Sequence, residues 1–545
     1  MAMEEKPKEL KAPMTSFASI NEDLVQNILR RLPASSFASA ASVSKSWNQI
    51  CNQILSKPKF ASAFSLNQDE KVALEEVVSK VLSEPIRPHF AIANVTGSGA
   101  DLSEKLDFLA TKLGSQTPIV VSCASGIMGR DAVTDEHREV MLDEYWADGE
   151  SNSCFGIILT VGILDFFIPK LNGSVAVHQP ALVDKFVKSI RDYADSVSGW
   201  ASPIGIILFG DEGADQKPVM EMLDYAISRD TVIVGDERTQ FLYQSGVRSR
   251  NDYGRSKYFP AAVALVFARD RNKPRGTGEI QFHAALSSGV SAIGPMYKAV
   301  SVRKIGSETA PTTLLTARRE GEQEIQDGQR ILDDINNELV GQIGRSDLYI
   351  GVTEQRKCLI GSEKSRVLTF LVFHAVTGPF SNILFSSNWL LVIRGDEEYL
   401  FADGDGIRTG DYFQFYHSDP TTALSSCSEV SKNFRKLKGD WSSRNCLQAG
   451  VSDNVCNKEV VGGFVFSCCG RGESFFERCN VDSSPFLDNF PGVPIAGVFC
   501  RGEIGRGFSI LNADEDPEER ALHRCLHVYS TAYLLVSYTP APPEH

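Results

Sequence analysis

The densest chemistry in this chain lies in Val461–Gly507. Phe466–Gly472 reads FSCCGRG and Gly497–Gly507 reads GVFCRGEIGRG, each an apolar run that breaks into cysteine, arginine and glycine. Ser467, Cys468, Arg471, Arg501, Glu503 and Arg506 bring a hydroxyl, a thiol, three guanidinium groups and a carboxylate to two turns. The planar fork of arginine suits carboxylate recognition. Glycine permits positive φ and close backbone approach at such turns. Two readings follow: a polar cleft for a small anionic ligand or a substrate, or two β-turns held by a structural Arg–Glu pair. Cys468-Cys469 becomes redox-sensitive if Arg471 lowers a thiol pKa.

Other chemical signals are weaker. Thr96-Gly97-Ser98-Gly99 has no third glycine and no Lys-Ser/Thr, which disfavours a dinucleotide or phosphate loop. Asp403-Gly404-Asp405-Gly406 lacks the glutamate of a calcium loop and reads as a hairpin turn. Cys123 stands near Ser122 and Ser125, but no motif places any of the nine histidines beside it, so a core or turn thiol is expected. The twelve cysteines form no C-x-x-C pair, and the spacing from Cys446 to Cys479 fits no usual zinc site. No metal or cofactor is expected, and no nucleophile–base pair assembles from spacing, so the chain reads as non-catalytic.

These turns need strands and helices to hold them. From Pro88 onward short apolar runs bounded by Gly, Pro or Asp predict strands at Phe90–Val95, Ile119–Cys123, Phe155–Val161, Ile204–Phe209, Val232–Val234 and Ala262–Ala268. Further strands are expected at Leu348–Val352, Val367–Val376, Trp389–Arg394, Glu398–Ala402, Tyr412–Tyr416, Val461–Phe466, Ile495–Cys500 and Tyr533–Tyr538. Helical periodicity marks Glu70–Leu82, Leu102–Leu113, Pro180–Val197, Gln326–Ile343 and Thr421–Leu437. The expected fold class is a multidomain α+β and α/β chain. Two mixed halves meet in the polar stretch near 300–325, where Glu308–Glu324 reads as the join. No repeat with L-x-x-L-x-L spacing is found, which disfavours a leucine-rich-repeat solenoid.

The N-terminal part differs. In Asn21–Ile54, Leu24, Val25, Ile28, Leu29 and Leu32 share one face of a helix. Pro33 should end it. Ser35 or Ser36 can cap a second helix, and Phe37, Ala40, Ala41, Val43, Trp47, Ile50 and Ile54 supply a second apolar face. Three short helices in roughly 40 residues cannot bury that surface among themselves. It meets either a partner or the chain's own core.

This stretch resembles an F-box: Leu24, Ile28, Leu29, Leu32, Pro33, Phe37, Val43, Ser44, Lys45 and Trp47 follow that family's order. Two departures are Ile20-Asn21, where Leu-Pro is usual, and Ser44, where Cys is usual. The resemblance implies docking of the adaptor Skp1 through Leu24, Val25, Ile28, Leu29, Leu32, Pro33, Phe37, Val43 and Trp47, and through it a cullin–RING ubiquitin ligase. Farther on, Ser467, Cys468, Gly470, Arg471 and Gly472, then Gly497, Gly502, Glu503, Ile504 and Gly505, are similar to the C-terminal half of FIST domains. Ile407–Phe415 (IRTGDYFQF) with Ser418-Asp419-Pro420 agrees, and Val121–Gly129 (VSCASGIMG) is similar to the N-terminal half. FIST domains resemble intracellular modules that bind small ligands such as amino acids. The implied organisation is a disordered tail over 1–14, an F-box over 15–66, a linker helix over 67–84, and FIST-like halves over 85–310 and 311–540.

Composition bounds the partners. The chain has 545 residues, 42% hydrophobic and 23% charged, which suits globular domains. A net charge of −14 disfavours sequence-independent nucleic-acid binding. No apolar run of about 18 residues marks a membrane span. The polar start MAMEEKPKELKAP lacks the apolar core of a secretory signal. Reduced thiols and a cytoplasmic or nuclear setting are therefore expected. The leading expectation is the substrate-recognition subunit of a Skp1–cullin–F-box ligase that binds protein targets. A small-ligand sensor is the alternative.

Overall fold

The computed structural model describes residues 21–97, 101–141, 155–164, 166–167, 180–214, 216–245, 261–272, 278–307, 310–338, 348–360, 364–376, 398–403, 407–448, 458–506 and 526–541. The expected tail over 1–14 and the expected strand Trp389–Arg394 lie outside them. The chain divides into two compact units, 1–57 with 82–87, and 58–81 with 88–545.

The smaller unit holds α1 (Glu22–Leu29), α2 (Ala34–Ala41) and α3 (Lys45–Leu55). Asn21 caps α1, its Oδ1 accepting from the Asp23 N–H at 3.1 Å, and Glu22 and Asp23 suit the helix's positive end. The second helix starts at Ala34 with Pro33 in the cap position, so Ser35 and Ser36 lie inside its first turn rather than capping it. Proline suits a helix start, where its missing N–H leaves nothing unpaired. Ser44 explains its own departure from the family pattern: its Oγ accepts from the Trp47 N–H at 3.1 Å and caps α3. Such a cap stabilises a helix by about 1 kcal/mol. Val25, Leu29, Phe37, Ala40, Ile50 and Cys51 form the buried centre, with Leu32, Trp47 and Ile54 packed around it.

Among the described residues the larger unit contains four sheets. In the first, β1 (Lys59–Ser65), β6 (Gly156–Ile163), β2 (Phe90–Thr96), β3 (Ile119–Cys123) and β10 (Phe241–Gln244) lie in that order. The stretch expected as a linker is α4 (Glu70–Val81), whose buried Ala73, Leu74, Val77, Val78 and Val81 give it a packed face. β2 and β3 are parallel, joined through α5 (Leu102–Leu113). The second sheet runs β22 (Leu526–His527), β21 (Glu503–Arg506), β9 (Val232–Thr239), β8 (Gly205–Asp211), β11 (Ala262–Phe267), β7 (Phe166–Phe167). Its parallel pair β8/β9 is bridged by α7 (Lys217–Ala226), which packs beside α6 (Pro180–Ser198).

The third sheet runs β12 (Glu279–Ser287), β23 (Thr531–Thr539), β19 (Glu459–Cys468), β20 (Ile495–Cys500), β4 (Gly126–Arg130), β5 (His137–Met141). β19 and β20 are parallel, and α10 (Glu473–Phe476) and α11 (Ser484–Asn489) lie between them in sequence. The long α9 (Pro420–Gln448) packs Val430, Phe434 and Leu437 against Phe486, Phe490 and Tyr533. Strands from either side of residue 310 thus share sheets: β12 pairs with β23, β4 with β20, and β9 with β21.

One apolar centre joins these three sheets. Phe60 and Phe64 of β1, Phe90 of β2, Phe209 of β8, Phe267 of β11 and Phe464 and Phe466 of β19 are buried together. The Phe60 ring meets those of Phe90 and Phe464 edge-on at 5.8 Å. A Cβ at Gly162 would stand 2.5 Å from the Phe90 ring, so that close approach requires glycine.

The fourth sheet is antiparallel: β16 (Lys364–Val376), β15 (Leu348–Ile360), β18 (Tyr412–Ser418), β13 (Val290–Ser307), β14 (Ala310–Arg319), β17 (Leu400–Asp403). Here the expected join is instead a long hairpin, β13–β14. Among the described side chains of β14, Thr313, Leu315 and Ala317 are buried, and Thr312, Leu314, Thr316 and Arg318 between them are not. A half-exposed strand of this kind carries polar residues at every second place, which hides it among loops. α8 (Gly328–Glu338) covers the expected helix from Gly328 as far as the described residues reach and puts Ile331, Leu332 and Ile335 into this sheet's own core.

Candidate functional site

The carboxyl ends of the parallel strands meet in one place. Ser125 N–H donates to Phe499 O at 2.9 Å, Cys469 N–H to Cys500 O at 2.8 Å, and Glu237 N–H to Gly502 O at 2.8 Å. In open α/β sheets ligands favour this edge. Both glycine-rich motifs end here, because each follows a parallel strand.

Arg471 does not line an open cleft. Its guanidinium and the Asp482 carboxylate are both fully buried, with Nη2 2.7 Å from Oδ1 and Nε donating to both oxygens at 3.1 and 3.2 Å. Nη1 donates to Tyr529 O at 2.9 Å, and Nη2 to Ser287 Oγ at 3.2 Å and Cys427 Sγ at 3.3 Å. Ser467 Oγ and Thr531 Oγ1 donate to Asp482 at 2.8 and 2.9 Å. The arginine's donors are thus consumed by the protein. Asp482, Cys427, Ser287 and Thr531 escaped sequence reasoning. Three of them are distant along the chain, and the one available signal was that a buried arginine demands a carboxylate.

Arg506 is also structural. It donates to Asp224 Oδ1 and to Ser228 O, each at 2.6 Å, and closes the C-terminal end of α7. Arg501 is half-exposed, 3.7 Å from Glu212. Glu503 is wholly buried, and Arg471, one of the three arginines open to an Arg–Glu pair, goes to Asp482. Glu503 Oε2 accepts from Ser530 Oγ at 3.2 Å, while Oε1 has no hydrogen-bond partner. Burial, then the neighbouring Cys468, push this carboxyl well above its usual range. Asp236 faces Glu503 across the β9–β21 pair, and burial raises it to about 7. On β5, Glu139 Oε1 accepts from the Ser483 N–H at 2.6 Å. Burial and then the Asp482 charge raise Glu139 to about 7.

Cys468 and Cys123 are not activated thiols. Hydrogen bonding with Cys469 and burial hold Cys468 well above the usual range, the reverse of the lowering expected from Arg471. Burial raises Cys123 to about 11. No group of three metal-binding side chains gathers among the described residues. A pocket of about 350 Å³ between α4 and α5 is lined by Glu70 and Lys105, whose charges meet at 2.5 Å.

In the smaller unit the nine expected contact residues separate. Val25, Leu29 and Phe37 are buried inside the three-helix centre, and Leu32 and Trp47 are half-buried beside it. Pro33 is exposed, and Leu24, Ile28 and Val43 are 55%, 49% and 66% exposed. Large apolar side chains this open in so small a unit are the expected mark of a docking face. Nothing in the helical period distinguishes the two groups, since both lie on apolar faces.

Comparison with known proteins places two domains on this chain. The F-box domain family matches residues 17–59 and the FIST C domain family matches residues 391–506. A protein of Arabidopsis thaliana named F-box/LRR-repeat protein is 43% identical over 536 residues, 97% of this chain and 95% of that one. Human F-box only protein 22 is 35% identical over 80 residues, 14% of this chain and 19% of its own. An uncharacterized protein of Mycobacterium tuberculosis is 47% identical over 45 residues, 8% of this chain and 12% of its own.

Two measurements check this geometry. Arg471→Met should lower unfolding free energy by about 3–5 kcal/mol by stranding Asp482. The double variant with Asp482→Leu should cost less than the sum of the two single changes by more than about 1 kcal/mol. Strict additivity in denaturant titrations would remove the pair from its central place. The second check is pH dependence. Burial raises Asp236 from 3.8 to about 7, so its stabilising protonated form is present below the unfolded value and lost as pH rises through about 7. Asp236→Asn should therefore shrink the fall in denaturation midpoint between about pH 5 and about pH 8. An equal fall in both proteins would contradict the assignment.

Proposed function

The chain belongs to the F-box proteins that carry a FIST C domain, and on that premise we propose that it is the target-binding subunit of a Skp1–cullin–F-box ubiquitin ligase. An F-box implies a substrate-adaptor role in general, and such proteins are generally non-catalytic. The finer reading assigns adaptor docking to residues 15–66 and target binding to the FIST-type body over 85–540. The observation that carries it is the open apolar set Leu24, Ile28 and Val43 over a centre closed by Val25, Leu29 and Phe37.

In this reading the chain makes and breaks no bond itself. It holds a protein target near a charged ubiquitin-conjugating enzyme, which converts an encounter between two molecules into one within a complex and raises effective concentration. Raised thiols support a non-catalytic role, because the thiolate is the nucleophile. We read the body as sheets of FIST type rather than a leucine-rich-repeat solenoid. The mixed sheets with pairings between distant strands support this, although the Arabidopsis relative carries the repeat in its name. In the larger unit no described helix is long and apolar enough to cross a membrane, and the same holds for the smaller.

A small-ligand sensor is the second reading. It draws on Glu503 Oε1 and Ser125 Oγ, two buried oxygens without hydrogen-bond partners near the strand ends. The occupied donors of Arg471 speak against an anion there.

A pulldown tests the leading reading. Full-length protein should recover Skp1. Leu24→Asp with Ile28→Asp should reduce recovery at least about tenfold, because a charge on each of two docking side chains must be desolvated. Val72→Asp, an exposed apolar residue on α4, should leave recovery unchanged. Undiminished recovery by the double variant, with a native thermal midpoint, would refute the docking face.

A further inference from the structure

The outward face of the fourth sheet carries positive charge that makes no ion pair among the described residues, on a chain of net charge −14. Inward positions of the β13–β14 hairpin hold Tyr297, Ala299, Thr313, Leu315 and Ala317, all buried. Alternation therefore turns Lys298, Arg303 and Arg318 outward. Lys298 and Arg318 stand directly opposite in register, and like charges so placed repel.

No carboxylate relieves them among the described residues. Lys298 Nζ lies 4.9 Å from the centre of the Tyr412 ring, and the Arg303 guanidinium 5.5 Å from that of Tyr399. Arg318 Nη1 reaches Gln323 Oε1 at 3.5 Å. The contrast with inward Arg319 is informative, since it pairs with Asp334 at 2.8 Å. Ile305, 51% exposed, sits on the same outward face beyond Arg303. Arginine and tyrosine around exposed apolar area is the composition of a recognition surface.

We propose that this face, Lys298, Arg303 and Arg318 with Tyr399, Tyr412 and Ile305, docks an acidic segment of a partner protein. The proposal rests on the reading of the body as a target-binding surface and names the chemistry of the target. An acidic segment supplies the carboxylates that the three cations lack among the described residues, and its approach relieves the Lys298–Arg318 repulsion. Polynucleotide is the less favoured occupant, because the acidic chain as a whole repels it.

The test is fluorescence anisotropy on the full chain at low salt. The probe is a fluorescein-labelled peptide of alternating glutamate and serine, about eight residues and ~26 Å extended, enough to cross four strands. Its glutamine counterpart and a duplex DNA of about 20 base pairs are the comparisons. The glutamate peptide should bind at least about tenfold tighter than the glutamine one, and salt should weaken it. Lys298→Glu, Arg303→Glu and Arg318→Glu together should abolish that preference, and the milder Gln triple should reduce it. Lys185→Glu with Lys188→Glu, exposed on α6, should leave it intact. Equal binding of the two peptides, or a preference that survives both triples, would overturn the proposal. Tighter binding of the duplex, lost in the same triples, would overturn it in favour of nucleic acid. Skp1 recovery measured on the same preparations separates the two claims: its loss from wild type with peptide binding intact strikes only the ligase reading.

Discussion

The body of this molecule is organised around a guanidinium and a carboxylate removed from water. Arg471 and Asp482 both have fully buried side chains, and the desolvation of such a pair is offset only when every remaining donor and acceptor is satisfied. That requirement ties distant parts of the chain together. Ser287 ends β12, Cys427 lies on α9, Ser467 is the penultimate residue of β19 and Thr531 starts β23, and all four contact the pair. The Asp482 charge also reaches Glu139 on β5 and, after burial, helps raise its carboxyl to about 7. The glycine-rich motif is therefore a structural junction first. Whatever the body recognises, it does so on a frame that this pair holds in register.

Much of the fold was legible. Buried strands such as β6, β8, β11 and β20 announce themselves as continuous apolar runs, because both faces are covered. The hairpin β13–β14 did not, because half its side chains face water and alternate Thr312, Leu314, Thr316 and Arg318. Pairings such as β12 with β23 were illegible for another reason: nothing local records which strand lies beside which. The site divided in the same way. Spacing singled out Arg471 and Glu503 but left the partner of the arginine open, and only the fold reveals that it is Asp482. In the helical unit the 3.6-residue period found all the apolar residues. It could not tell Leu29, which closes the centre, from Ile28, its exposed neighbour.

The two units carry different kinds of surface. The helical unit exposes aliphatic side chains that favour a partner by removing apolar area from water. The fourth sheet of the body exposes cations stacked on tyrosines, which favour a partner by charge and select against others. In the proposed receptor role this division lets each surface change without disturbing the other. Ser44 illustrates the independence: it departs from the usual cysteine yet caps α3 and keeps the aliphatic face in place.

The central claim is that adaptor binding belongs to the aliphatic face alone. Hydrogen-exchange mass spectrometry of the full chain with and without Skp1 tests it most directly. The account predicts that amides within 22–47 slow at least about tenfold on adding Skp1, while those of β19, β20 and β23 exchange as before. Protection confined to the body, with 22–47 unchanged, would contradict it.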